Sequence, residues 1–152
     1  MLLRSADTLS GQEGKAVANI GGVIQDMFYV KSLEANVDKN KAELKVLGKK
    51  GTQHKTIGWN GSGTMTIFYL TSVFRVMMLR YVKTGVDTNF TITVVNEDKG
   101  STIGKQTVVL YNCNIDSTVL AKLDVESDAL EEEVSFTFDD FDILDRFGQP
   151  VI

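Results

Sequence analysis

The chain has 152 residues, 43% hydrophobic and 24% charged, with 16 Lys and Arg against 20 Asp and Glu for a net charge of −4. That composition describes one globular domain with room for a substantial core and excludes a disordered chain, while the net negative charge opposes general nucleic-acid binding, which needs clustered cations. Cys113 is the only cysteine, so no intramolecular disulfide is possible, and neither a bilayer-spanning apolar run nor a secretory leader is visible, so neither membrane insertion nor export by that route is expected.

Period-two alternation dominates from the first element onward. Lys15 to Ile20 and Val23 to Tyr29 flank Gly21-Gly22, which can supply the positive φ angles of a tight hairpin. Leu33, Ala35 and Val37 alternate with Glu34, Asn36 and Asp38, predicting a half-buried strand with one polar face. Asp38 to Lys41 reads as a turn into a second alternating run, Ala42, Leu44 and Val46, and a Gly-rich loop is expected from Gly48 to Gly63. Beyond it Met65, Ile67 and Tyr69 alternate with Thr64, Thr66 and Phe68, again a strand.

Ser72 to Lys83 breaks the pattern. It holds no Gly or Pro, offers Thr71 or Ser72 as an N-cap and is followed by Gly85 as a C′ residue, so a helix is predicted. Apolar residues surround most of its circumference, which predicts burial on most sides. Strands resume at Phe90 to Val95, Gln106 to Asp116, Val119 to Val125 and Leu130 to Asp139, with Glu97 to Gly104 as a flexible connection. Cys113 alternates with Tyr111 and Ile115 and reads as a small core hydrophobe. The expected fold is mainly β: an antiparallel β-barrel or sandwich of about seven or eight strands with one packed α-helix.

No enzyme constellation can be assembled. The loop Gly48 to Gly58 superficially resembles a phosphate-binding loop, but His54 stands where Gly must precede the Lys, and a strand follows instead of a helix. His54 is the only histidine and has no acidic residue within ten positions, so neither a zinc site nor an activated nucleophile is supported. Asp139, Asp140 and Asp142 invite a calcium reading, yet the Gly and Glu of a calcium-binding loop are missing from Ile143 to Phe147. No catalytic, metal or cofactor residue is assigned.

Charge geometry is the remaining signal. Residues 1–123 carry 15 cationic and 10 anionic side chains, and residues 124–152 carry 1 and 10. A chain basic in one place and acidic in another is complementary to its own copy, which points to head-to-tail self-association. Lys39 to Lys55 hold six lysines and one acidic residue. Alternation leaves Glu34, Asn36, Asp38, Thr64, Thr66, Glu131 and Glu133 on strand faces turned away from the core, a surface that would repel a polyanion.

Three runs carry a resemblance: Glu34 to Glu43, His54 to Thr64, and Leu123 to Asp142. Together with Thr8 to Gly14 and the central helix, they resemble the tail tube protein of contractile phage tails, in the branch found in defective prophages and phage-tail-like bacteriocins of Gram-positive bacteria. The likeness runs in order over nearly the whole chain and departs at the ends and at Asn19 to Gln25.

The resemblance implies a single tail-tube domain over residues 1–152, with an N-terminal arm at about 1–12, an inter-subunit loop at about 48–63 and a C-terminal tail at about 141–152. Six copies would form a ring whose strands build an inner β-barrel, and rings would stack into a tube inside a sheath. DNA would pass through without specific binding, or the tube would be driven through a target envelope. The implied partners are further copies of the chain, a sheath protein, a baseplate and a tail terminator, with assembly in the bacterial cytoplasm and residence in the particle's tail. Lys49, Lys50, His54, Lys55 and Trp59 are candidates for ring-to-ring contact and Asp139, Asp140 and Asp142 for an acidic interface. Glu34, Asn36, Asp38, Thr64, Thr66, Glu131 and Glu133 are candidates for the lumen. A type VI secretion tube protein is the rival within the fold, and a carbohydrate-binding or other ligand-binding β-sandwich module using an exposed Trp59 is the rival outside it.

Overall fold

The computed structural model describes residues 5, 14–27 and 29–148, so the first dozen residues lie almost wholly outside it, as do 149–152. The elements are β1 (Gly14–Ile20), β2 (Val23–Asp26), β3 (Val30–Leu44), β4 (Gln53–Phe68), α1 (Val73–Thr84), β5 (Phe90–Glu97), β6 (Lys105–Ser117), β7 (Glu131–Phe138) and β8 (Asp140–Asp145). All pairings are antiparallel, in the order β2-β1-β5-β6-β7-β4-β3, with β8 also on β6.

Gly21 and Gly22 take φ of 61° and 86°, the two positive angles that let a two-residue turn follow the twist of β1 and β2. Strand β6 passes between two layers. Its first part pairs with β5 and β8, its last part with β7, and the change of partner falls at Asn112, the one described non-glycine with positive φ, at 54°. That left-handed residue shifts the alternation, so Leu110, Cys113 and Ile115 are buried while Tyr111 turns outward, away from the face shared with Cys113. The core joins both layers through Met65, Ile67, Phe74, Phe90, Ile92, Val134 and Phe136. Gly61 and Gly63 are required where the rings of Phe138 and Phe136 lie on the β4 backbone, because a Cβ at either position would come within 2.5 Å of a ring carbon.

Cys113 is fully buried, and desolvation pushes its thiol up to about 12. Since an exposed thiol ionises near 9.0, the unfolded chain loses this proton first, and stability is expected to fall as pH rises through that value. Denaturation curves of the wild type and Cys113→Ala between neutral pH and pH ~10 would separate this loss from that of other groups. A thiol reagent is expected to leave the folded protein unlabelled.

Several expectations are corrected. Asp38 to Lys41 is not a turn: β3 runs unbroken through it, and the irregularity falls on β4, where Ile57 is the extra residue between the pairs Asn40–Gly58 and Lys41–Thr56. The Gly-rich segment is mostly strand, since β4 begins at Gln53 and the connection is confined to residues 45–52. Val119 to Val125 forms no strand, because no partner strand lies beside it among the described residues, and Leu120, Leu123 and Val125 are exposed. The helix is capped at Gly85 in the left-handed conformation, but only Phe74 and Met77 are buried in it, and Val76, Leu79 and Val82 face outward. Among the described residues the helix is covered on one side only. Strand β8 takes in residues 141–145 of the segment expected as a tail, whose residues 149–152 lie outside the described residues.

Candidate functional site

Registers across β3, β4 and β7 bring the seven polar residues to one face of one sheet. Glu34 pairs with Thr64 and Thr64 with Ser135; Asn36 pairs with Ser62 and Ser62 with Thr137; Thr66 pairs with Glu133, and Asp38 with Asn60. The opposite faces carry Met65, Ile67, Val134 and Phe136 into the core, so period-two geometry leaves mostly hydroxyls, amides and carboxylates outside, with the half-buried Phe68 beside Glu131 at one end. Glu131 lies at the edge of this face, where its Oε1 accepts a hydrogen bond from Lys31 Nζ at 2.8 Å. Strand β3 ends the sheet, so its outer edge is unpaired along its 15 residues among the described residues.

From Gly61 back toward Gln53, β4 has no partner except β3 among the described residues, so Asn40–Leu44 and Gln53–Gly58 continue as a two-stranded ribbon outside the body. We call residues 40–58 the arm. Lys49 and Lys50 sit in its terminal turn, and His54 and Lys55 in β4 just behind it; all are exposed. Trp59 stands at the arm's base, with its ring 6.2 Å from Phe138 and 5.9 Å edge-on from Phe141, so it anchors the ribbon to the body and offers only one free side. The arm also exposes Leu44, Val46, Leu47 and Ile57, with Leu47 fully solvent-accessible.

The acidic trio occupies the corner between β7 and β8. Asp139 accepts a hydrogen bond from Asn112 Nδ2, Asp142 Oδ2 accepts one from the Tyr111 hydroxyl at 3.2 Å, and Asp140 Oδ1 accepts one from the Phe141 amide. Burial, then the Asp142 hydrogen bond and the charges of Asp142 and Asp140, push the Tyr111 phenol above its usual range. Because Phe138 and Phe141 touch Trp59, this corner lies beside the arm's own base and not at the far end of the molecule.

One polar cluster was not singled out from sequence. Glu132 alternates into the core, and its side chain is 0% exposed. Arg75 Nη1 donates to both of its oxygens at 2.9 Å, Nη2 donates to the Thr71 carbonyl, and the guanidinium lies 4.3 Å from the Tyr69 ring centroid. A sequence signal existed: placing Glu131 and Glu133 outward forces Glu132 inward, and a cation in the first turn of a helix opposes its dipole unless a partner holds it.

Among the described residues no group of three or more His, Cys, Asp or Glu could hold a metal ion, and no helix is long and apolar enough to cross a membrane. The family model described as "Phage tail tube protein" matches residues 1–145. The chain is 46% identical over 148 residues to the phage-like element PBSX protein XkdM of Bacillus subtilis strain 168, covering 97% of this chain and 98% of that protein. In fold it is similar to a chain in the 6-fold symmetrised anti-feeding prophage baseplate, with a TM-score of 0.68, 11% identity and coverage of 95% and 97%. It is also similar to the SPP1 tail tube, with a TM-score of 0.63, 13% identity and coverage of 90% and 78%. A mainly antiparallel β fold with one helix, one largely polar sheet face and a match over nearly its full length place this chain in the phage tail tube protein family, as a structural subunit of a tail.

Proposed function

We propose that six copies form a ring and that rings stack into the inner tube of a contractile tail. The polar face of β3, β4 and β7 lines the lumen in this reading, and the unpaired edge of β3 is where neighbouring copies continue the sheet. The observation that carries it is the combination of these two features on one strand: β3 presents Glu34, Asn36 and Asp38 to one face and leaves its backbone edge open. A long open edge is a template for pairing with another chain. Carboxylates and hydroxyls without clustered cations let a polyanion slide past without being held, so DNA delivery is compatible with this wall, as is a tube that itself punctures an envelope.

The solved structures of similar fold include an extended PVC sheath-tube complex and the cap that terminates the anti-feeding prophage tube, and the anti-feeding prophage baseplate is 6-fold symmetrised. These support sheath, baseplate and terminator as partners and six as the ring number. Assembly takes place in the bacterial cytoplasm in this reading, before the particle is released. Negative-stain electron microscopy of the purified protein across a concentration series is expected to show hollow tubes or six-membered rings. A protein that stays monomeric at every concentration, and also with its cognate baseplate added, would overturn the proposal.

A further inference from the structure

A pocket of about 270 Å³ opens where the C-terminal half of α1 meets the end of β6. Met77, Met78 and Tyr81 of the helix and Ile115 of β6 form its apolar walls, and Asp87, Asn114 and Asp116 supply its polar part. Met77 and Ile115 are buried, Tyr81 is half exposed, and both carboxylates reach solvent. We propose that this pocket binds a primary ammonium group carried on an aliphatic stem. All its walls come from a single copy, so such binding is independent of the stacking reading above.

Charge selects a cation. Asp87 and Asp116 enter no ion pair among the described residues, and no Lys or Arg lines the pocket. Asp87 Oδ1 accepts the Thr88 amide at 3.1 Å, which leaves the carboxylate's charge unneutralised. Asp87 also lies just beyond Gly85, the left-handed cap of α1, and so stands at the negative end of the helix dipole. A further negative charge there is unfavourable until a cation joins it. Asn114 donates its amide to Asn89 Oδ1 at 3.0 Å, which leaves its own carbonyl oxygen to accept.

The walls select an organic cation over a metal ion. A hard metal ion needs several oxygen ligands, and no group of three or more His, Cys, Asp or Glu is placed to hold one among the described residues. Two thioethers, a phenol ring and an isoleucine suit methylenes instead, and the face of Tyr81 attracts an ammonium beside it. The volume lies below the roughly 300–1,000 Å³ of sites for drug-sized ligands, so the occupant is a short chain. Phe74 seats α1 in the core shared with Met65, Ile67, Val134 and Phe136, so the helix lies on the opposite side of that core from the polar face of β4 and β7. A ligand therefore reaches the pocket without entering that face.

The test is saturation-transfer NMR on cadaverine added to the full-length protein, a readout that serves single subunits and assemblies alike. Half-maximal binding is expected at about 1–10 mM, the affinity of one screened ion pair with a short apolar stem. The double variant Asp87→Asn with Asp116→Asn is expected to lose about tenfold or more of that affinity and to keep the wild-type unfolding midpoint, since both side chains are exposed. Pentanol, a similar stem without charge, is expected to bind about tenfold more weakly than cadaverine. Cadaverine binding that the double variant retains would place the amine elsewhere on this acidic chain and overturn the site. Pentanol binding as tight as that of cadaverine would overturn the choice of a cation. Nα-acetyl-lysine N-methylamide and spermidine separate the two sources of such a group: tighter binding of the first assigns the pocket to a lysine side chain of a partner protein, and of the second to a free polyamine.

Discussion

Replacing Arg75 by alanine is expected to destabilise the fold by about 3–5 kcal/mol, the cost of leaving a buried carboxylate without its cation. Glu132 is fully buried and Arg75 is 15% exposed, so solvent cannot replace the lost partner. The same side chain also binds the Thr71 carbonyl, stacks on Tyr69 and reaches the Val119 carbonyl at 3.4 Å, so helix α1, the β4–α1 connection and the irregular segment after β6 would loosen together. For a domain of this size the midpoint of thermal unfolding is expected to fall by roughly 10 °C. The double variant Arg75→Met with Glu132→Leu is expected to recover most of the loss, since an apolar pair of similar volume leaves no charge buried. Thermal unfolding of the three proteins decides the matter, and an Arg75→Ala midpoint within about 2 °C of wild type would show that the pair contributes little.

Reversing Lys49 and Lys50 to glutamate is expected to abolish tube formation while leaving a folded monomer. The pair lies in the terminal turn of the arm, both side chains are exposed, and the turn bears on no core residue, so the monomer's circular dichroism and unfolding midpoint are expected to stay as in the wild type. The net charge of residues 39–55 drops from +5 to +1, which removes most of the attraction toward a body carrying −9. Light scattering with electron microscopy checks this. Tubes of normal length from the variant would show that the arm's charge is dispensable and that its apolar residues or the β3 edge hold the copies together.

The features legible in sequence are those set by nearest neighbours in the chain. Gly21-Gly22 encodes its own hairpin because positive φ is a property of two residues. The helix limits follow from the absence of breakers and from Gly85. The polar face of Glu34, Asn36, Asp38, Thr64, Thr66, Glu131 and Glu133 follows from period-two alternation, and the registers join these residues because each strand separately keeps its apolar side inward.

What alternation cannot contain is the identity and reach of a strand's partner. Asp38 to Lys41 has turn composition, yet it stays extended because β4 runs alongside and a bulge absorbs the misfit. Val119 to Val125 alternates well and forms no strand, because a strand needs a neighbour to satisfy its backbone and none of the described residues supplies one. The slip at Asn112 separates Tyr111 from Cys113 because β6 must cross from one layer to the other. The exposure of the helix and the meeting of Arg75 with Glu132 both depend on which layers close over the core. Those are contacts between residues distant in the chain, and only the tertiary structure decided them.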